Sequence, residues 1–197
     1  MKRADIELLL NQAKLLTNHS HFVIIGSLSI LGAAERPPES MTVSIDVDLY
    51  PRDDPGRASE MASHLGLGSA FEEEHGFYAD PVSPRLASLP EGWESRMIPI
   101  KFQSGVTAWF IEPNDAAVSK YVRSEPRDRA WIRGGLSAGI LSMPTIEYRL
   151  QETYADDSEI DLAKQSIKED KAWLAEKDFG RHPDRKIRKG ARRGNER

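Results

Sequence analysis

Val43-Ser44-Ile45-Asp46-Val47-Asp48-Leu49-Tyr50 is the stretch on which the fold turns. It has strand composition throughout the segment Thr42 to Tyr50, and Pro51, Asp53, Asp54, Pro55 and Gly56 break it on the far side. Side chains alternate along a strand, so Asp46 and Asp48 share a face with Ser44, while Val43, Ile45, Val47 and Leu49 share the other. Two carboxylates side by side repel each other, and one tends to stay protonated unless a cation lies between them. A D-x-D on its own is more often a polar strand face turned to solvent.

Immediately upstream, His21 to Ile25 is a short β-branched and aromatic run stopped by Gly26, as expected of a buried strand. Ser27 then stands where an N-cap belongs, before Leu28, Ile30, Leu31 and Ala34, which suit a short helix. A glycine lets the backbone come close to a ligand, and a helix start with a serine hydroxyl offers donors to phosphate. Gly26-Ser27 alone is more often a turn and a cap. Joined to the two aspartates it supplies a phosphate cradle and a metal clamp on neighbouring strands, as metal-assisted phosphoryl or nucleotidyl transfer requires. Magnesium suits an all-oxygen site, and the chain has no cysteine to offer a softer ion.

Outward from these strands, residues 4 to 18 carry Ile6, Leu9, Leu10, Ala13 and Leu16 at helical spacing. Residues 57 to 66 predict a further helix, and Gly76 to Ala79, Arg96 to Phe102 and Val106 to Ile111 predict strands, the last two joined at Ser104-Gly105. From Pro113 the chain turns helical, with segments at Pro126 to Leu141, Pro144 to Tyr154 and Ser158 to Lys177. The expected class is α/β or α+β: a mixed sheet flanked by helices over residues 1–111, a helical C-terminal part of the same unit over 112–180, and a disordered basic tail over 181–197.

Hydrophobic residues are 39% and charged residues 29% of the 197, an ordinary soluble balance, and no apolar run approaches the ~20 residues of a membrane helix. No export signal is read at Met1 to Leu10, and the absence of cysteine fits a cytoplasmic protein. The net charge of -4 divides unevenly, since residues 181–197 hold eight Lys/Arg against two Asp/Glu, or +6, leaving -10 on the rest. Such an arm either holds nucleic acid through its phosphates or merely solubilises the end of the chain.

Ile24-Ile25-Gly26-Ser27-Leu28-Ser29-Ile30-Leu31-Gly32 followed by Ser44-Ile45-Asp46-Val47-Asp48-Leu49 resembles the polymerase-β-type minimal nucleotidyltransferases. Glu112-Pro113-Asn114-Asp115-Ala116-Ala117-Val118-Ser119-Lys120 with Arg127-Asp128 is further similar to the AbiEii/MenT-like branch, which includes toxins of bacterial toxin-antitoxin pairs. The resemblance implies that Gly26, Ser27 and Lys120 bind a nucleoside triphosphate, that Asp46 and Asp48 hold magnesium, and that Lys120 and Asp128 complete the catalytic set. It implies an acceptor that is tRNA or a partner protein, with a cognate antitoxin as a second partner. Thr42 stands where the family often carries Arg, and no third strand carboxylate is evident; Glu112 is the one candidate for it, and is equally a helix-start acid. A non-catalytic module of the same fold and an aminoglycoside-type nucleotidyltransferase are the rival functions. Lys120, Glu72-Glu73-Glu74, His75 and the tryptophans each have plain structural readings as surface charge or core, although Trp93 lies in an expected loop that could stack on a base.

Overall fold

The computed structural model describes residues 1–181, so the basic tail falls almost wholly outside the described residues. A five-stranded mixed sheet forms the centre, from β1 (His21–Ile24), β2 (Asp46–Pro51), β3 (Tyr78–Pro81), β4 (Ile98–Lys101) and β5 (Thr107–Phe110), in the order β3-β2-β1-β5-β4. β1 runs antiparallel to β2 and parallel to β5; β2 is parallel to β3, and β4 antiparallel to β5. This is the α/β mixed sheet flanked by helices that the sequence predicts.

One face of the sheet is apolar. Phe22 and Ile24 of β1, Val47 and Leu49 of β2 and Ala108 and Phe110 of β5 are buried there, against Ile6, Leu9, Leu10 and Ala13 of α1 (Arg3–Thr17) and the short α2 (Ile30–Ala33). The fit is close: a Cβ at Gly32 would lie 2.4 Å from the Phe110 side chain, so α2 rests its glycine directly on the sheet. The chain then builds α3 (Ala62–Leu65), α4 (Ala70–His75) and α5 (Trp93–Arg96) around the β2–β3 side and the approach to β4. The C-terminal half is helical as expected: α6 (Pro113–Arg123), α7 (Pro126–Ser137), α8 (Met143–Leu150) and α9 (Asp157–Arg181). α6 is its hub, packing on α7, α8 and α9 and reaching the turn after β1.

Several local expectations shift. β2 begins at Asp46, and Val43 and Ile45 are exposed on the approach to it, so the strand is shorter than its composition suggested. Ser27 is the first residue of a 3-10 turn, Ser27–Ser29, whose N-cap is Gly26. The predicted helix at 57–66 divides into a 3-10 segment, Pro55–Met61, and α3. Glu72, Glu73 and Glu74 lie on α4, where Glu72 accepts the Gly68 amide. His75 stacks edge-on to Phe71, and Trp93 opens α5 and packs partly buried on the core, so neither belongs to a free loop.

Candidate active site

Opposite the apolar face, the sheet register brings acids together. Asp46 pairs with Tyr78 and Asp48 with Asp80 across the parallel β2–β3 ladder, and paired residues point to the same face. Carboxylate oxygens of Asp46, Asp48 and Asp80 all lie within 4.8 Å of one another. Asp80 is the third strand carboxylate that the sequence seemed to lack: β3 was expected to stop at Ala79, and its register against β2 cannot be read from sequence. Glu112 is elsewhere employed. Its carboxylate caps α6, accepting the Asn114 and Asp115 amides at 3.0 and 3.3 Å, and it pairs with Arg149. The adjoining Asp115, fully buried, is held by Arg96 at 2.8 Å and Arg149 at 3.0 Å, so this stretch of the motif joins α5, α6 and α8.

Burial first, then the charges of Asp46 and Asp80, push Asp48 up to about 7, with Arg123 and Lys120 opposing from the other side. Asp80 is raised too, by burial and by Asp46. Ser44 Oγ donates to Asp46, which fixes one oxygen of that carboxylate. A metal ion fits this donor set: three hard oxygen ligands converge, their mutual repulsion is the cost a dication removes, and the chain has no cysteine thiolate.

Beside the acids stands the Gly26 turn. Gly26 has φ 67° and ψ -154°, a region open almost only to glycine. A Cβ there would come 1.9 Å from Asp48 Oδ2, so the backbone itself forms one wall of the carboxylate pocket. Two residues of the helical half pin the turn. Lys120 Nζ donates to Ser27 Oγ at 2.9 Å, and Trp131 Nε1 donates to the Ser27 carbonyl at 3.0 Å. The lysine is therefore no surface charge; it is 4% exposed, and its other partner is Asp128 at 2.7 Å, itself 3% exposed. Arg123 completes the network through Nε and Nη2, which donate to the two Asp128 oxygens at 2.9 and 2.7 Å. Burial lowers Lys120, with Asp128 opposing; Asp128 is itself held below its ordinary value, because the two cations outweigh its own burial.

A cavity of about 260 Å³ opens between these groups, with Gly26, Asp48, Lys120 and Arg123 in its wall. Apolar atoms of Ile25, Ile111 and Val122 line its inner side, and residues 86–89 and Glu159 of α9 border it. Arg123 was passed over in the sequence because a lone arginine near a helix end reads as a surface charge. The C-terminal position of Arg123 on α6, one helical turn from Lys120, is the signal that could have marked it.

The chain matches, over residues 4–177, the model of a family described as nucleotidyltransferases of unknown function (DUF6036). The chain belongs to that family. No curated protein and no solved structure matches it. In this chain the paired acids lie beside the Gly26-Ser27 turn, and the helical half brings Lys120, Asp128, Arg123 and Trp131 to it. No described helix is long and apolar enough to cross a membrane.

Proposed function

We propose that this site moves a nucleotide from a nucleoside triphosphate to an acceptor hydroxyl. The observation that carries the proposal is the opposition of charges at one small cavity, where Asp48, converging with Asp46 and Asp80, shares the wall with Lys120 and Arg123. Asp46, Asp48 and Asp80 would hold divalent metal, magnesium by the chemistry of the donor set, which when bound supplies charge neutralisation for the phosphates and acidifies the attacking oxygen. Arg123 is 43% exposed where Lys120 is buried, so the guanidinium is the cation that meets the incoming triphosphate first. Lys120 stabilises the Ser27 hydroxyl and the developing charge behind it.

Asp128 acts as a positioning residue. One carboxylate holds two cations in a fixed spacing, and a planar guanidinium bound through one edge keeps its remaining N–H groups for phosphate. In the reaction the acceptor oxygen forms a bond to the α-phosphorus, the bond to the α–β bridging oxygen breaks, and pyrophosphate leaves toward Arg123 and Lys120. The acceptor proton passes to a carboxylate of the acidic trio.

By its resemblance to the AbiEii/MenT-like toxins the chain takes tRNA as acceptor, with a cognate antitoxin as its regulator. The +6 of residues 181–197 supports a polynucleotide, since the other residues carry -10 and would repel one. The test is incubation with each α-labelled NTP, magnesium and total cellular RNA. Label transferred to RNA with one preferred NTP, lost on chelation and in Asp80→Asn, is the expected result. Label that never leaves the NTP under any acceptor, with wild-type and variant alike, contradicts the proposal.

A further inference from the structure

Between α8 and α9 lies a cavity of about 550 Å³, in the size range of ligand sites and larger than the one at the acids. Its floor is aliphatic: Leu150 and Ile167 are buried, and Ile160 is half-buried. Its rim is basic. Lys164, Lys168 and Lys171 recur at i, i+4 and i+7 of α9, which sets all three ammonium groups along one edge. Two acids pair with them, Glu147 of the lining with Lys171 at 2.7 Å and Asp161 with Lys164 at 3.4 Å, so the rim keeps a charge excess of about +1. The rim lysines are exposed, on a molecule whose residues 1–180 are otherwise strongly acidic.

We infer that this groove binds an acidic amphipathic peptide segment of a partner protein. Both halves of its chemistry are needed to reach that occupant. An aliphatic floor takes Leu- or Ile-sized anchors at helical spacing, as helix-in-groove recognition does, and the lysine row pairs with Asp or Glu on the segment's outer flank. A polynucleotide would use the lysines and leave the floor unused, because single-stranded binding draws on aromatic stacking platforms and the groove has no aromatic residue in its lining. The surface lies outside the acid site and its binding stands independently of the reaction performed there.

The test uses the full chain and two fluorescein-labelled helical peptides of the same acidic flank, one with leucines at i, i+3, i+4 and i+7 and one with serines in their place. Anisotropy titration should show saturable binding of the leucine peptide that weakens with added salt, and roughly tenfold or greater weakening for the serine peptide. The triple variant Lys164→Glu/Lys168→Glu/Lys171→Glu should lose the leucine peptide by a similar factor while its melting temperature stays near wild type. Labelled poly(U) is the third probe. Poly(U) bound in place of the peptide, and lost in the triple variant, would make the groove a nucleic-acid surface and overturn the inference. So would leucine-peptide binding unchanged in the triple variant, or no peptide binding at all.

Discussion

Asp48 carries the sharpest consequence at the scale of single residues. Its carboxyl is raised from 3.8 to about 7 in the folded protein, first by burial and then by Asp46 and Asp80. The folded state therefore binds more protons than the unfolded chain between about pH 4 and pH 7, and stability falls as pH rises through that window. At ~1.4 kcal/mol for each tenfold in proton affinity the loss approaches ~4 kcal/mol when complete, an upper bound since solvent screens part of it. Thermal melts of metal-free protein should show a lower melting temperature at pH 8 than at pH 5.5. In Asp48→Asn that difference should shrink, with the variant at least as stable as wild type at pH 8 and inactive in transfer. A variant that unfolds at both pH values would make the acid a structural residue. Asp46 and Asp48 were legible from sequence because strand alternation alone sets them on one face, whereas Asp80 needed the register of β3 against β2, which no local pattern encodes.

Among elements, the decisive relation is between the Gly26 turn and α6–α7, which lie far apart in sequence. The turn was legible because a glycine ending an apolar run has few other uses. The helix after it is short, as its residues suggested: a 3-10 turn and four residues of α2, too short for a strong dipole, so in the proposed reaction anion binding falls to side chains. Those side chains come from the C-terminal half, where Lys120 and Asp128 matched the motif, and Arg123 and Trp131 did not stand out because surface and core readings covered them. The buried Lys120–Asp128 pair makes a prediction that separates support from chemistry. Asp128→Asn leaves a nearly fully buried ammonium with one anion fewer, and breaking such a pair costs ~3–5 kcal/mol. Urea unfolding should show a loss of that order in Asp128→Asn and none in Asp46→Asn, while both lose transfer. Equal stability of Asp128→Asn and wild type, with activity gone, would instead give Asp128 a direct part in the reaction.

For the whole molecule, the sheet provides two unlike faces. The apolar one was visible in the alternation of β2, in the apolar run of β1 and in the helical spacing of α1, and it is packed by α1 and α2. The other carries the acids, and the helical half folds over it so that Lys120 and Arg123 of α6 share the wall of a cavity of about 260 Å³ with Asp48, which converges with Asp46 and Asp80. Composition could announce a helical second half but not which of its charges turn inward, because burial of Lys120 depends on partners 93 and 8 residues away. In the proposed reaction this opposition of charge grips a metal–triphosphate pair. Crystals of the full chain soaked with manganese and an NTP whose α–β bridging oxygen is replaced by methylene test it directly. The expected result is anomalous density within ~2.0–2.6 Å of oxygens from Asp46, Asp48 and Asp80, and phosphates against Arg123 and the Ser27 turn. Manganese bound away from the three aspartates, or a triphosphate that occupies the protein without touching Arg123, Lys120 or Ser27, would contradict it.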